Sequence, residues 1–149
     1  MEYKPLPDWL QKRLPELKQT ALAARENAYA PYSRFMVGAA LLAESGKIYP
    51  GCNLENGAFS PSLCGERTAL AAAWMAGERH FSLLAIVGGP QDQPAETWEF
   101  CYPCGVCRQT YAEFCPPDFP LLIMAGNRET KILRLEELLP WAFAFSGGK

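Results

Sequence analysis

Two cysteine motifs, Cys64-Gly65-Glu66 and Pro103-Cys104-Gly105-Val106-Cys107, each stand where a helix begins, and no other feature constrains the chain as strongly. The run from Cys64 to Ala76 is rich in Ala, Leu and Met, with Gly77 placed to end it, which predicts a buried helix. Pro103 suits a first helical turn and Cys115-Pro116-Pro117 stops the pattern, so a second helix is predicted from Pro103 or Cys104 to about Phe114. Cysteines three apart on a helix differ by only about 60° around its axis, so Cys104 and Cys107 can grip one ion, with Cys64 supplied from the facing helix. Zn²⁺ is commonly four-coordinate; three protein ligands leave one place for water, the mark of a catalytic site rather than a closed structural one. Glu66 lies about 200° around the helix from Cys64, too far to share the metal but able to reach a water held there.

The chain has six cysteines and one histidine in 149 residues, which in a reducing compartment points to thiol or metal chemistry rather than a disulfide framework. Hydrophobic residues at 49% and charged residues at 20% describe a soluble globular protein, and the length suits one domain over residues 1–149. A net charge of −2 argues against a nucleic-acid-binding module. No apolar run is long enough to span a bilayer, and the opening MEYKPLPDWLQKRLPE lacks the apolar stretch of a secretory signal, so a cytoplasmic protein without a membrane partner is expected.

Leu10, Leu14, Leu17, Ala21, Leu22 and Arg25 recur at roughly helical spacing between Asp8 and Ala28, with Pro15 favouring a start near itself. Phe35 to Ala43, the turn Glu44-Ser45-Gly46-Lys47 and an extended segment from Ile48 to Glu55 predict a hairpin. Leu83 to Val87 and Leu121 to Ala125 read as strands, and Gly88 to Pro103 as a long loop. The alternation predicts an α/β fold with a central mixed sheet flanked by helices. On the predicted second strand Asn53 and Glu55 face the same side, where they can hold sugar hydroxyls or simply form its wet face.

Cys-x-Glu followed by Pro-Cys-x-x-Cys is the three-cysteine form of the zinc nucleobase deaminase signature. From about Ala28 to Phe143 the chain resembles the small homotetrameric cytidine deaminases. The resemblance runs in order through Ala30-Pro31-Tyr32-Ser33, Val37 to Leu42, Gly51 to Asn56, Glu66-Arg67-Thr68-Ala69, Cys107-Arg108-Gln109 and Leu138-Leu139-Pro140. It implies a three-layer α/β/α sandwich, one Zn²⁺ per subunit on Cys64, Cys104 and Cys107, and hydrolytic deamination of cytidine and deoxycytidine with release of ammonia in pyrimidine salvage. Glu66 is then the catalytic acid–base that moves a proton from water to N3 and assists the departing amine. The resemblance further implies that Arg67 supports the zinc-bound sulfur, Phe35 packs on the pyrimidine, and Asn53 and Glu55 bind the ribose 3′-hydroxyl. Gly65 keeps a backbone contact to the base, and Phe143 reaches into a neighbouring subunit's site. A homotetramer with shared active sites acting on a small pyrimidine nucleoside follows.

Cys52, Cys101 and Cys115 stay outside this assignment and read as small buried hydrophobes or free thiols. Cys101 does complete a C-x-x-C-x-x-C run, part of an iron–sulfur pattern, but Tyr111 stands where its next cysteine belongs. His80 reads as a surface turn residue. Three residues depart from the family pattern: Gly65 replaces alanine, its missing methyl leaving room for a modified pyrimidine; Tyr102 replaces the serine before Pro-Cys; Phe59 replaces a frequent tyrosine. Two other functions therefore compete, a deaminase of a modified or antibiotic aminopyrimidine nucleoside and a non-catalytic zinc-stabilised binding protein.

Overall fold

The computed structural model describes residues 5–145, and its first long strand, Phe35–Ala43 (β1), shows how the core divides. Successive strand residues point to opposite faces. Ala39, Leu41 and Ala43 enter one buried cluster, while Ala40 and Leu42 enter another. A strand buried on both sides belongs in the middle of a sheet, and β1 lies there, between Ile48–Cys52 (β2) and Phe81–Pro90 (β3). With Pro120–Ala125 (β4) and Glu129–Arg134 (β5) the five-stranded sheet runs β2-β1-β3-β4-β5. Only the β3–β4 pair is parallel; the others are antiparallel, so the sheet is mixed.

Helices cover both faces. Asp8–Gln11 (α1) and Leu14–Arg25 (α2) place Leu10, Leu17 and Ala21 against Leu42, Leu83 and Leu122. Gly65–Met75 (α3), Gly105–Phe114 (α4) and Leu135–Leu138 (α5) place Ala69, Leu70, Tyr111 and Leu135 against Leu41, Ile86 and Ile123. This is the expected three-layer α/β/α sandwich. Gly51 sets the height of α3 over the sheet: a Cβ there would lie 2.2 Å from the Gly65 carbonyl oxygen and 2.4 Å from the Ala69 nitrogen, so only glycine lets β2 touch the helix.

Three expectations need correction, and two elements come without one. The amino-terminal helical segment is split into α1 and α2, with Pro15 in the first turn of α2, where its missing N–H has no partner to lose. The segment Gly88 to Pro103 is not loop throughout, because β3 runs on to Pro90 by pairing with β1 as far as Phe35. A Cβ on Gly89 would lie 2.3 Å from the Trp98 ring and one on Gly88 2.6 Å from the Cys101 sulfur, so both leave room for side chains of the returning chain. The extended segment after the first turn ends at Cys52 and not Glu55, leaving Asn53 outside β2. Finally, β5 and α5 follow β4 unannounced by any periodic pattern.

Candidate active site

Cys64 and Cys104 are the N-cap residues of α3 and α4, and Cys107 lies in the first turn of α4. The expectation that Cys104 and Cys107 share a helical face is therefore modified: Cys104 has extended backbone angles, and its sulfur sits over the open end of its own helix, accepting the Cys107 backbone N–H at 3.4 Å. Both helices direct their positive ends and free N–H groups at one spot, which favours anionic sulfur there. The tie between the helices is a buried hydrogen bond, in which the Tyr111 hydroxyl of α4 donates to the Glu66 carbonyl of α3 at 2.9 Å.

The three sulfurs lie within 4.8 Å of one another, with Cys64 and Cys104 at 3.6 Å. Tetrahedral zinc with Zn–S bonds of ~2.3 Å needs sulfurs about 3.8 Å apart, so the spacing fits that ion. Their protonation fits it as well. Cys64 is pulled down to about 5, first by hydrogen bonding with Cys107 and then by the Arg67 guanidinium. Cys107, bonded to that thiolate and buried beside it, is held far above the ordinary thiol range. Three thiolates this close repel one another, and a dication among them relieves the conflict. Arg67 adds positive charge at the rim: its Nη2 donates to the Ser62 carbonyl at 3.0 Å and reaches the Cys64 sulfur at 3.9 Å.

Glu66 follows one residue after Gly65 at the start of α3 and is only 3% exposed. Burial and the nearby Cys64 thiolate push its carboxyl up to about 7, the range in which a group both takes and gives a proton near neutral pH. Glu66 lines a cavity of about 260 Å³ that also meets Cys64, Cys104, Phe35, Asn53 and Glu55. The structure thus brings together six of the residues singled out by sequence.

Asn53 and Glu55 reach this cavity by a different route from the one expected. Asn53 accepts the Val37 N–H and donates to the Phe35 carbonyl, both at 2.8 Å, and so closes the end of β1 while fixing Phe35 at the cavity wall. Glu55 accepts the Tyr32 and Ser33 N–H groups at 2.8 and 3.2 Å and also the Ser33 hydroxyl. These bonds leave one amide hydrogen on Asn53 and part of the carboxylate's acceptor capacity for a ligand.

The chain shows its kinship at this site. A family model described as "Cytidine and deoxycytidylate deaminase zinc-binding region" matches residues 5–87, which include Asn53, Glu55, Cys64 and Glu66. The cytidine deaminase of Sporosarcina psychrophila is 47% identical over 121 residues, covering 81% of this chain and 84% of the relative. That of Halalkalibacterium halodurans is 42% identical over 127 residues, covering 85% and 91%. The chain belongs to the cytidine deaminase family. The crystal structure of the Burkholderia pseudomallei cytidine deaminase superposes with a TM-score of 0.78 at 41% identity, covering 87% of this chain and 98% of that one. The Mycobacterium tuberculosis enzyme gives 0.71 at 35% identity, covering 94% of this chain and 100% of that one. Zinc is the metal of the matched region, and the trio Cys64, Cys104 and Cys107 is the cluster this cytidine deaminase family member offers it.

Two sequence-selected residues lie apart from the cavity. Phe143 is 73% exposed, with its carbonyl accepting from the Gln109 amide, and it lines a separate hollow with Ala112 of α4 and Leu135 of α5. Gly65 is buried beside the sheet, where an added Cβ would meet the Cys52 Cα at 3.3 Å and Val37 at 3.4 Å. Its missing methyl therefore eases packing against β1 and β2, which corrects the idea that it opens room for a modified base. Cys101 lines the cavity outside the sulfur trio, and burial raises its thiol to about 12, so the iron–sulfur pattern has no support. Cys115 is likewise raised to about 12 by burial, Cys52 is raised, and His80 is exposed just before β3. Phe59 projects into solvent edge-on to Tyr32. Tyr102, which the family resemblance puts near the departing group, is part of the cavity wall.

Proposed function

We propose that this protein catalyses the hydrolytic deamination of cytidine and deoxycytidine to uridine and deoxyuridine, releasing ammonia in pyrimidine salvage. The observation that carries the reading is the buried Glu66 on a cavity of about 260 Å³ that is also lined by Cys64 and Cys104 of the three-sulfur cluster. Zinc held by the trio supplies a Lewis acid that acidifies water. Glu66 takes a proton from the attacking water and delivers it to N3 as the C4–O bond forms. A second proton passed through Glu66 to the exocyclic nitrogen lets the C4–N bond break, so that water and cytidine become uridine and ammonia. Phe35 presents its ring to the base, and Asn53 and Glu55 offer their remaining hydrogen-bonding capacity to the sugar. Arg67 offsets the charge of the sulfurs.

We further read the active form as a homotetramer with shared sites. Leu70, Ala71, Trp74, Met75 and Phe114 line an apolar hollow of about 370 Å³ on the outer faces of α3 and α4. The exposed aromatic tail with Trp141, Phe143 and Phe145 lies away from its own chain's cavity, as a residue that completes a neighbour's site must. All six cysteines are free and suit a reducing cytoplasm, and no helix among the described residues is long and apolar enough to cross a membrane.

The test is ammonia release by zinc-loaded protein from a panel of aminopyrimidine nucleosides, with zinc measured on the same sample. Turnover of cytidine and deoxycytidine is expected. Full zinc without release from any substrate would move the protein to the binding-protein reading.

A further inference from the structure

The proposed mechanism leaves one cavity wall without a role. Tyr102 borders the same space as Cys104 and Glu66 and stands just before the Pro103-Cys104 step into α4. Its position is held twice. The backbone before it is tied to the sheet, since Phe100 bridges Ala125 and the Cys101 N–H donates to the Met124 carbonyl at 3.2 Å. The ring leans on Phe100, with centroids 6.4 Å apart and planes at 48°, and Phe100 in turn carries the Lys131 ammonium from β5 at 4.0 Å. Lys131, Phe100 and Tyr102 thus form a continuous stack, of which Tyr102 meets the cavity.

In the deamination reading, on which this inference rests, the incoming oxygen and the outgoing nitrogen are bonded to one carbon at the same stage. The outgoing group must therefore leave from the side of the cavity where the sulfurs and Glu66 meet. We propose that Tyr102 is a specificity-determining residue that bounds this space, admitting an unsubstituted amino group and excluding larger substituents on the exocyclic nitrogen. Tyr102 is 44% exposed and its ring leans on Phe100, a contact that narrows the positions it takes at the cavity wall. A small side chain in its place would widen the cavity along the wall that Tyr102 and Cys104 share. Deamination of an N4-methylated nucleoside consumes one water and releases methylamine, so the same chemistry serves both substrates and only the fit differs.

The experiment compares kcat/KM for cytidine and N4-methylcytidine in zinc-loaded wild type, Tyr102→Phe, Tyr102→Ser, Tyr102→Ala and Phe100→Leu, with zinc content and melting temperature checked for each. Wild type and Tyr102→Phe are expected to prefer cytidine strongly. The two small replacements should raise the ratio of N4-methylcytidine to cytidine activity at least tenfold, and Phe100→Leu should move it the same way by less. A ratio unchanged within twofold in Tyr102→Ser and Tyr102→Ala overturns the role of Tyr102, as does a wild type that accepts both substrates equally. If fully zinc-loaded wild type releases no amine from either, the deamination reading itself falls and this inference falls with it.

Discussion

Replacing Glu66 by glutamine separates catalysis from stability within one side chain. The amide has nearly the same shape, so the Cys64, Cys104 and Cys107 ligand set should still take up zinc, while turnover should drop by at least the ~10²- to 10⁴-fold that a positioned acid–base contributes. Stability of the metal-free protein should change in the opposite direction. Glu66 is 3% exposed, and its carboxyl is raised from 4.5 to about 7 by burial and the Cys64 thiolate. Between those values the folded protein holds a proton that the unfolded chain has released, so stability falls as pH rises through this window and is fully present only below it. At ~1.4 kcal/mol per pH unit the penalty reaches about 3 kcal/mol by pH 8. Glutamine does not ionise and carries no such slope. Urea unfolding of chelator-treated wild type and Glu66→Gln at pH 5 and pH 8 measures the difference, which includes the relief of Cys107 and Cys101 from the Glu66 charge. Glu66→Gln should be the more stable at pH 8, with the gap much smaller at pH 5. Parallel pH dependences would refute the claim that Glu66 is ionised at a cost, and near-normal turnover would remove it from the mechanism.

Other outcomes follow from the same contacts. Asn53→Ala removes two hydrogen bonds of 2.8 Å and strands the Phe35 carbonyl and the Val37 N–H, so it should cost about 2–3 kcal/mol in urea unfolding and raise KM more than it lowers kcat. Unaltered stability would count against the closing role of this amide. Arg67→Gln should keep the fold while zinc transfers to a chromogenic chelator about tenfold faster, since loss of a partner to a metal ligand commonly weakens retention by that order. Equal transfer rates would reduce Arg67 to a tether for Ser62. Deleting residues 141–149 should both weaken substrate affinity and disturb assembly, as read by KM and by light scattering; a fully active truncated monomer would sink the shared site.

The fold and the site were legible in sequence to the extent that their causes are local. The cysteine motifs fix residue type and spacing because the chemistry of a thiolate site allows few substitutes, and helix starts are marked by composition; α3 and α4 accordingly begin within two residues of their expected positions. Strand β1 is bounded by a polar start and the Glu44–Lys47 turn, and it lies where its apolar run predicts. The misses share a different cause. Strand β5 has the sequence Glu-Thr-Lys-Ile-Leu-Arg, whose first half is exposed, and it is extended because it pairs with β4 from Ala125 back to Pro120. Asn53 has the composition of a ligand-facing amide, yet two of its bonds go to backbone groups of β1 that are 16 and 18 residues away, a use that no local pattern encodes. Tyr102 is the same case at the cavity: its brace joins Phe100 to Lys131, which are brought together only once β5 has docked. The sulfur cluster and its neighbouring carboxylate are therefore written in short motifs, whereas the shape of the cavity wall depends on distant pairings. Sequence departures such as Tyr102 acquire a physical meaning only when those pairings are known.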